Sequence, residues 1–231
     1  MMEGHISKAF DGALVALHMR VLEMGGLALD QVREAVHAYT EWDVSSAKRV
    51  IEREHTINAY DVTLDEEQLS LIARRQPVAS DLRAIIAISK AVGELERVGD
   101  EAKKIAKTVL AHADRPGPAT TGDVRQLGRL AQQLLRHALE SFDHLEAALA
   151  SAVVDGDKEI DLEYTVALRR LLTRAMEDPR HFDLAVEAAF VLKSLERVGD
   201  HARNLARLVL VISPASKADP NSTPTASTAA D

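Results

Sequence analysis

The stretch LERVGDEAKKIAKTVL at residues 95–110 recurs 100 residues later as LERVGDHARNLARLVL at residues 195–210. Ten of the 16 aligned positions are identical. Each copy follows a turn that contains a proline, Pro77 or Pro179, by a similar distance. A duplication of this kind predicts that the chain contains two copies of one structural unit, with the repeated stretch in the same element of each copy.

Apolar residues recur at helical spacing along almost the whole chain of 231 residues, and glycine and proline interrupt the pattern at few places. Abundant alanine and leucine, with only 3% aromatic residues, favour helices over strands. We therefore predict an all-α fold of two tandem, similar antiparallel three-helix bundles. Asp43 should cap the second helix, and Gly25–Gly26 should bend the first. The expected helices cover about residues 7–40, 44–76, 80–113, 123–142, 146–176 and 180–212.

Composition along the chain divides it into four segments. The first three-helix unit is expected over residues 1–113 and the second over residues 123–212. Residues 114–122, DRPGPATTG, have the glycine and proline content of a linker. Residues 213–231 are poor in apolar side chains and rich in Ser, Thr, Pro and Ala, so we expect them to form a disordered tail.

Bulk composition excludes several kinds of chemistry. The chain has no cysteine, which rules out disulfides, thiolate metal ligands and a cysteine nucleophile. Its net charge of −8 argues against direct binding of nucleic acid. No uninterrupted run of about 20 apolar residues and no N-terminal signal sequence are evident, so we expect a cytoplasmic protein. No nucleophile–base pair, glycine-rich phosphate loop or redox thiol is present, which points away from an enzyme.

Each copy of the repeat carries two acidic residues four positions apart, Glu96 with Asp100 and Glu196 with Asp200. This spacing places both carboxylates on one helical face, beside the apolar stripe and not within it. Like charges at this spacing repel by roughly 0.2–0.5 kcal/mol, a cost that a bound cation would reverse. A glycine precedes the second acid in both copies, which would let a neighbouring backbone or a ligand approach closely. The apolar stripe of the first copy comprises Ile88, Val92, Leu95, Gly99, Ala102, Ala106 and Val109.

The antiparallel neighbour of this helix should bring further oxygen ligands to the same level. Glu54 and Asn58 lie as many residues before the Pro77 turn as Asp100 and Glu96 lie after it. The second unit has the same arrangement to within one residue. The predicted metal ligands are Glu54, Glu96 and Asp100 in the first unit and Asp157, Asp161, Glu196 and Asp200 in the second, with Asp61 and Asp65 ranked lower.

Oxygen ligands of this kind suit hard cations such as Mg, Mn, Ca or iron, and zinc is less favoured without cysteine. Several carboxylates in one groove could hold more than one ion. Two other interpretations stay open. One is a carboxylate-bridged di-metal enzyme, which needs a buried pair of ions with open coordination. The other is a helical scaffold without metal, in which the acidic pairs form an ordinary solvated face.

At this point the sequence resembles the PhoU family of phosphate-uptake regulators, over essentially the whole chain except the C-terminal tail. The paired E(D)xxxD motifs of that family match Glu96/Asp100, Glu196/Asp200 and Asp157/Asp161. At the remaining position Glu54 fits, but Asn58 replaces the second acid. The stretches that carry the resemblance are the repeated LERVGD, VIEREHTIN at residues 50–58, ARRQPVASDLR at 73–83, DKEIDLEY at 157–164 and MEDPR at 176–180.

The resemblance implies a cytoplasmic adaptor, often a homodimer, that binds multinuclear clusters of divalent or trivalent metal ions, iron or zinc in this family. It implies two partners, the ATPase subunit of a phosphate ABC transporter and a membrane sensor histidine kinase. Contact with the membrane would occur through these partners only. When phosphate is plentiful, such a protein restrains uptake and keeps phosphate-starvation genes off, so its effect on transcription is indirect and negative.

Overall fold

The computed structural model describes residues 3–75, 77, 79–114, 121–178 and 182–213. Over these ranges the chain forms six helices and no strand, which confirms the predicted all-α class. Each helix ends within four residues of its expected position. The helices are α1 (Glu3–Glu41), α2 (Val44–Arg75), α3 (Ala79–Ala111), α4 (Gly122–His144), α5 (Ala147–Glu177) and α6 (Phe182–Ile212).

The turn between α1 and α2 has the predicted cap. Trp42 adopts a left-handed conformation with φ of 55°, and Asp43 follows it. The Asp43 carboxylate accepts hydrogen bonds from the backbone N–H of Ser45, at 2.8 Å, and from the Ser46 hydroxyl, at 2.6 Å. The bond from Ser45 satisfies one of the backbone donors that the first turn of a helix leaves unpaired, and the bond from Ser46 helps to hold the Asp43 carboxylate in place. Leu145, with φ of 51°, forms the equivalent turn between α4 and α5.

Helices α1–α3 pack on one another, and so do α4–α6, as the two predicted bundles require. The apolar stripe predicted on α3 is buried at every position. Leu95 and its counterpart Leu195 are fully buried, and burial of a leucine contributes about 1.5–3 kcal/mol. Contacts of α3 with α6 and of α1 with α4 join the bundles into one continuous core.

Glycines let α1 and α4 approach closely across the junction of the two bundles. A Cβ atom on Gly25 would lie 2.3 Å from Cδ2 of Leu139, and one on Gly128 would lie 2.8 Å from Cγ2 of Val36. Gly128 is 103 positions after Gly25, and Leu139 is 103 positions after Val36, so the two contacts are reciprocal. Gly25 therefore has a packing role at this junction, and α1 continues as helix through both glycines. The expected bend at Gly25–Gly26 stays a prediction.

By length and composition alone, one stretch of α1, Phe10–Glu41, would be sufficient to cross a membrane, with a mean hydropathy of 1.3. In the folded chain this helix packs against α2, α3 and α4. Val21, Met24, Ala28 and Val32 on its inner face are fully buried in the core. The core therefore accounts for part of the apolar character of α1, since 28% of its most apolar stretch is buried.

Two sequence predictions fall mainly outside the described residues. Most of the expected linker, residues 115–120, and nearly all of the expected tail, residues 214–231, are not among them. The limits of the two units and the disorder of the tail therefore stay predictions.

Candidate metal centre

Three carboxylates of the first unit converge between α2 and α3. One oxygen each from Glu54, Glu96 and Asp100 lies within 4.8 Å of the other two. No other group of three or more such ligands meets this distance in the part of the chain that the structure describes. Glu54 is 1% exposed, Glu96 is half-buried, and the Asp100 side chain is 43% exposed. Counting residues from the proline turn thus predicted that these three side chains lie at one level; their role as metal ligands stays a prediction.

A buried glutamine from α1 fixes the deepest of these carboxylates. The Nε2 group of Gln31 donates to Oε2 of Glu54 at 2.9 Å, and also lies 3.3 Å from the carbonyl oxygen of Val50 and 3.4 Å from that of Gly99. The other oxygen of Glu54, Oε1, is buried and accepts no hydrogen bond. Its nearest cation is the ammonium of Lys103, 3.7 Å away. Gln31 therefore holds the carboxylate in place and leaves one oxygen available.

The glycine before Asp100 makes room for this arrangement. A Cβ atom on Gly99 would lie 3.1 Å from Oε2 of Glu54 and 3.1 Å from Cδ1 of Ile57. These distances are shorter than an ordinary van der Waals contact of about 3.5–4.0 Å, so a larger residue would push α2 away from α3. The sequence suggested that a backbone or a ligand would use this space, and side chains of α2 occupy it.

The carboxylates of the cluster lie close enough to disfavour the charged form of Glu96. Burial raises the pKa of Glu96, and the carboxylates of Asp100, Asp61 and Glu54 raise it further, while Arg97 opposes the shift. Burial and the neighbouring Asp65 also raise the pKa of Asp61. A raised carboxyl pKa means that the negatively charged form is disfavoured, and a nearby cation would relieve this penalty. Asp61 therefore adds negative charge near the cluster. From the sequence it ranks below Glu54, Glu96 and Asp100 as a candidate metal ligand, and it is not among the three converging carboxylates.

The residues of the first unit fit a hard cation. Two oxygens bound on opposite sides of an ion at about 2.1–2.5 Å are about 4.2–5 Å apart, so oxygens within 4.8 Å of one another can bind the same ion. Oε1 of Glu54 and the buried side-chain oxygen of Asn58 both lack a hydrogen-bond partner in the structure. Buried oxygens without a partner are unfavourable unless something satisfies them. Asn58, which departs from the family motif, still offers the neutral oxygen that Mg²⁺ or Ca²⁺ accepts.

The second unit places its predicted ligands differently. Arg203 bridges two of them, because one guanidinium nitrogen donates to Oδ2 of Asp157 and the other lies 2.7 Å from Oδ1 of Asp200. Asp157 is 3% exposed, while Asp200 and Arg203 are partly exposed. Burial raises the pKa of Asp157, and the hydrogen bond from Arg203 opposes this shift. Asp157 and Asp200 are thus brought together, with a side-chain cation between them.

The other two predicted ligands of the second unit, Glu196 and Asp161, lie in different environments. Glu196 pairs with Lys193 at 2.5 Å, and the ammonium of Lys193 also lies 5.5 Å from the centre of the Tyr164 ring. Asp161 is exposed to solvent. The assignment of Asp161 and Glu196 as metal ligands stays a prediction.

Three side chains that contact the predicted ligands were not predicted from the sequence: Gln31, Lys103 and Arg203. Gln31 lies 11 residues before Trp42 and Glu54 lies 12 after it, so the counting that was applied to the proline turns would have placed these two side chains level. Lys103 and Arg203 each follow an acidic residue by three positions, which puts them on the same helical face.

Comparison with known proteins gives the family. The family model described as "PhoU domain" matches twice, at residues 21–109 and 124–209, inside the two predicted units. The phosphate-specific transport system accessory protein PhoU homolog of Pseudomonas aeruginosa is 43% identical over 209 residues, which covers 90% of this chain and 86% of that protein. The phosphate-specific transport system accessory protein PhoU of Escherichia coli is 37% identical over 205 residues, covering 89% of this chain and 85% of the relative.

Solved structures agree with the sequence comparison. The crystal structure of PhoU from Pseudomonas aeruginosa covers 88% of this chain, and 98% of that structure is matched, with 43% identity and a TM-score of 0.84. The phosphate transport system regulatory protein PhoU from Streptococcus pneumoniae matches with a TM-score of 0.81 and 26% identity, over 89% of this chain and 97% of that structure. The similarity covers almost the full length of this chain and of each solved structure. This chain therefore belongs to the PhoU family.

Proposed function

We propose that this protein is a metal-binding regulator of phosphate uptake and of phosphate-starvation signalling. The relatives are named as accessory or regulatory proteins of phosphate transport, which supports the phosphate-related part of the proposal. The convergence of Glu54, Glu96 and Asp100 within 4.8 Å is the observation that carries the metal-binding part. The protein would act negatively when phosphate is plentiful.

The proposed metal site uses side chains from all three helices of the first unit. Glu54 of α2 with Glu96 and Asp100 of α3 would supply charged oxygens, and Asn58 a neutral one. Gln31 of α1 positions Glu54 through a hydrogen bond, and Asp61 adds negative charge. A divalent or trivalent ion would supply the positive charge that this cluster needs. Iron or zinc would be expected from the family, and Mg or Mn from the oxygen ligands.

The proposed partners are the ATPase subunit of a phosphate ABC transporter and a phosphate sensor histidine kinase. In this proposal the protein is a cytoplasmic homodimer that reaches the membrane only through these partners and does not bind nucleic acid. The net charge of −8 supports the last point, since duplex DNA attracts basic surfaces.

The di-metal enzyme is less well supported. An enzyme of that kind needs a closed pocket in which two ions share water and open coordination positions. The cluster found here lies at a groove edge, with Asp100 43% exposed and the Lys103 ammonium 3.4 Å from it. This openness suits a surface that a metal organises for a partner.

Complementation tests the proposal most directly. A strain that lacks its own copy of this protein would express the wild type, or a variant with Glu54→Gln, Glu96→Gln and Asp100→Asn together. Glu52→Gln serves as the matched control, because Glu52 is an exposed acid on the same helix as Glu54. We expect the wild type and the control to repress a phosphate-starvation reporter in phosphate-rich medium, and the triple variant to fail although its helicity is unchanged.

Full repression by the folded triple variant would overturn the role of the metal site. Capture experiments with the tagged wild type, in high and in low phosphate, test the partners separately. We expect the transporter ATPase and the kinase to be retained, and neither to be found with an unrelated helical control protein.

A further inference from the structure

We infer that only the first three-helix unit of this chain binds metal ions, and that the guanidinium of Arg203 takes the place of the cation in the second unit. The inference rests on the proposed metal-binding function. It departs from the expectation of one metal site in each unit, because the side chains that surround the two acidic groups differ.

Equivalent positions in the two units can be assigned from the contacts themselves. Gly99 contacts Ile57, and Gly199 contacts Ile160 in the same way. Positions in α6 are therefore 100 residues after those in α3, and positions in α5 are 103 residues after those in α2. The following residues are equivalent: Glu54 and Asp157, Glu96 and Glu196, Asp100 and Asp200, Lys103 and Arg203, Gly93 and Lys193, Asp61 and Tyr164, Gln31 and Leu134.

The cations at the equivalent positions bind their carboxylates with different strength. Arg203 donates a hydrogen bond to Asp157 and forms an ion pair with Asp200, through two nitrogens of one planar group. Lys103 lies 3.7 Å from Glu54 and 3.4 Å from Asp100, a looser arrangement. An arginine fork that bridges two carboxylates is preorganised and always charged, whereas a lysine ammonium sits on a flexible stem and can move aside. A metal ion could displace Lys103 from the first cluster, but would have to break both bonds of Arg203 in the second.

The second unit has a lysine beside Glu196 for which the first unit has no lysine at the equivalent position. Lys193 contacts Glu196 at 2.5 Å. The equivalent position in α3 is Gly93, which has no side chain to offer Glu96. Glu96 therefore lies beside Glu54 and Asp100 with no lysine at this position, whereas Glu196 is paired with Lys193.

The residues around the deepest carboxylate also differ. Gln31 holds Glu54 by a hydrogen bond, and its equivalent, Leu134, has no polar group with which to hold Asp157. Asp61 adds negative charge near Glu96, and its equivalent is Tyr164.

The charge balance follows from these differences. Glu54, Glu96 and Asp100 with Lys103 amount to three negative charges and one positive, a net of −2. The equivalent residues Asp157, Glu196 and Asp200, with Arg203 and Lys193, amount to three negative charges and two positive, a net of −1.

Mn²⁺ binding by the full chain tests this inference. The protein is stripped with a chelator, and bound Mn²⁺ is measured by equilibrium dialysis with elemental analysis and by titration calorimetry. We expect Asp100→Asn to remove the bound Mn²⁺ or to weaken binding at least tenfold. Asp200→Asn, the matched variant of the second unit, should leave both the amount bound and Kd unchanged within twofold. Circular dichroism and a melting curve establish that each variant is folded.

Arg203→Ala and Lys103→Ala separate the roles of the two cations. Arg203→Ala should create additional Mn²⁺ binding, and this gain should disappear when Asp200→Asn is added. Lys103→Ala should tighten binding severalfold without changing the amount bound. A lower amount bound by Asp200→Asn, with Asp100→Asn keeping the remainder, would overturn the inference and leave the proposed function intact. Absence of the gain in folded Arg203→Ala would overturn the role assigned to Arg203, and absence of Mn²⁺ on the wild type would overturn the proposed metal site itself.

Discussion

Removal of the Arg203 guanidinium should destabilise the fold far more than removal of the Lys103 ammonium at the equivalent position. Asp157, the main partner of Arg203, is 3% exposed, so Arg203→Ala leaves a buried negative charge without compensation. Glu54, the buried neighbour of Lys103, keeps its hydrogen bond from Gln31 when the lysine is removed.

The magnitude follows from the burial of the partners. Breaking a fully buried ion pair by removing one partner costs about 3–5 kcal/mol. Arg203 is 23% exposed and Asp200 33% exposed, so solvent screens part of the interaction, and we expect a loss of about 2–3 kcal/mol in the free energy of unfolding. A chain of this size loses about 2–4 °C in Tm for each kcal/mol, which gives a decrease of about 4–12 °C. The looser contacts of Lys103 predict a loss of about 1 kcal/mol or less.

The effect should depend on pH. Burial already raises the pKa of Asp157, and loss of Arg203 should raise this pKa further. A carboxyl group whose folded-state pKa lies above its unfolded-state pKa destabilises the fold as the pH rises through the folded-state pKa. The loss caused by Arg203→Ala should therefore be larger at pH 7.5 than at pH 5, because protonation of Asp157 removes the unpaired charge.

Urea denaturation of metal-free protein, followed by circular dichroism at both pH values, measures this loss. Adding Asp157→Asn to Arg203→Ala should recover a large part of it, because the unpaired charge is removed. Equal losses for Arg203→Ala and Lys103→Ala would refute the reasoning, and so would a loss that is the same at pH 5 and pH 7.5.

Further predictions concern the turns, the core and the junction of the two bundles. Asp43→Ala should lower the Tm more than Asp43→Asn, and equal Tm values would contradict the cap. Because the Ser46 hydrogen bond lowers the pKa of Asp43, the contribution of this carboxylate to stability should be lost as the pH falls below about 4. Burial raises the pKa of Tyr39. An alkaline absorbance titration should therefore show one of the three tyrosines ionising only together with loss of helicity. Ionisation of all three tyrosines near pH 10 in folded protein would contradict this. Gly128→Leu should lower the free energy of unfolding by about 2 kcal/mol or more, because a Cβ atom at this position would lie 2.8 Å from Val36. Adding Val36→Ala should restore part of the loss. An unchanged Tm for Gly128→Leu would contradict the close packing of α1 on α4.

The fold could be predicted from the sequence because the repeat, the helical periodicity and the proline turns all indicated the same arrangement of helices. The duplicated LERVGD stretch gave the number of units, helical periodicity gave the elements, and the proline turns gave the order of neighbours within a unit. The same counting brought Glu54 to the level of Glu96 and Asp100. Residue counting works here because helices have a fixed rise and the turns between them are short.

The contacts between the units could not be predicted in this way. A repeat fixes the shape of each copy, but it does not state how two copies pack against each other. Gly25 therefore suggested a bend, although its structural reason is Leu139 on the other unit. The different behaviour of Lys103 and Arg203 could not be predicted for another reason. Both are cations at equivalent positions, and the sequence does not give their distances to the carboxylates.

Anomalous diffraction from crystals loaded with Mn²⁺ tests most directly whether the carboxylates of α2 and α3 share a cation. The account predicts an anomalous peak at about 2.0–2.6 Å from oxygens of Glu54, Glu96 and Asp100. A map without a peak among these three side chains, at Mn²⁺ concentrations that saturate binding in solution, would contradict it.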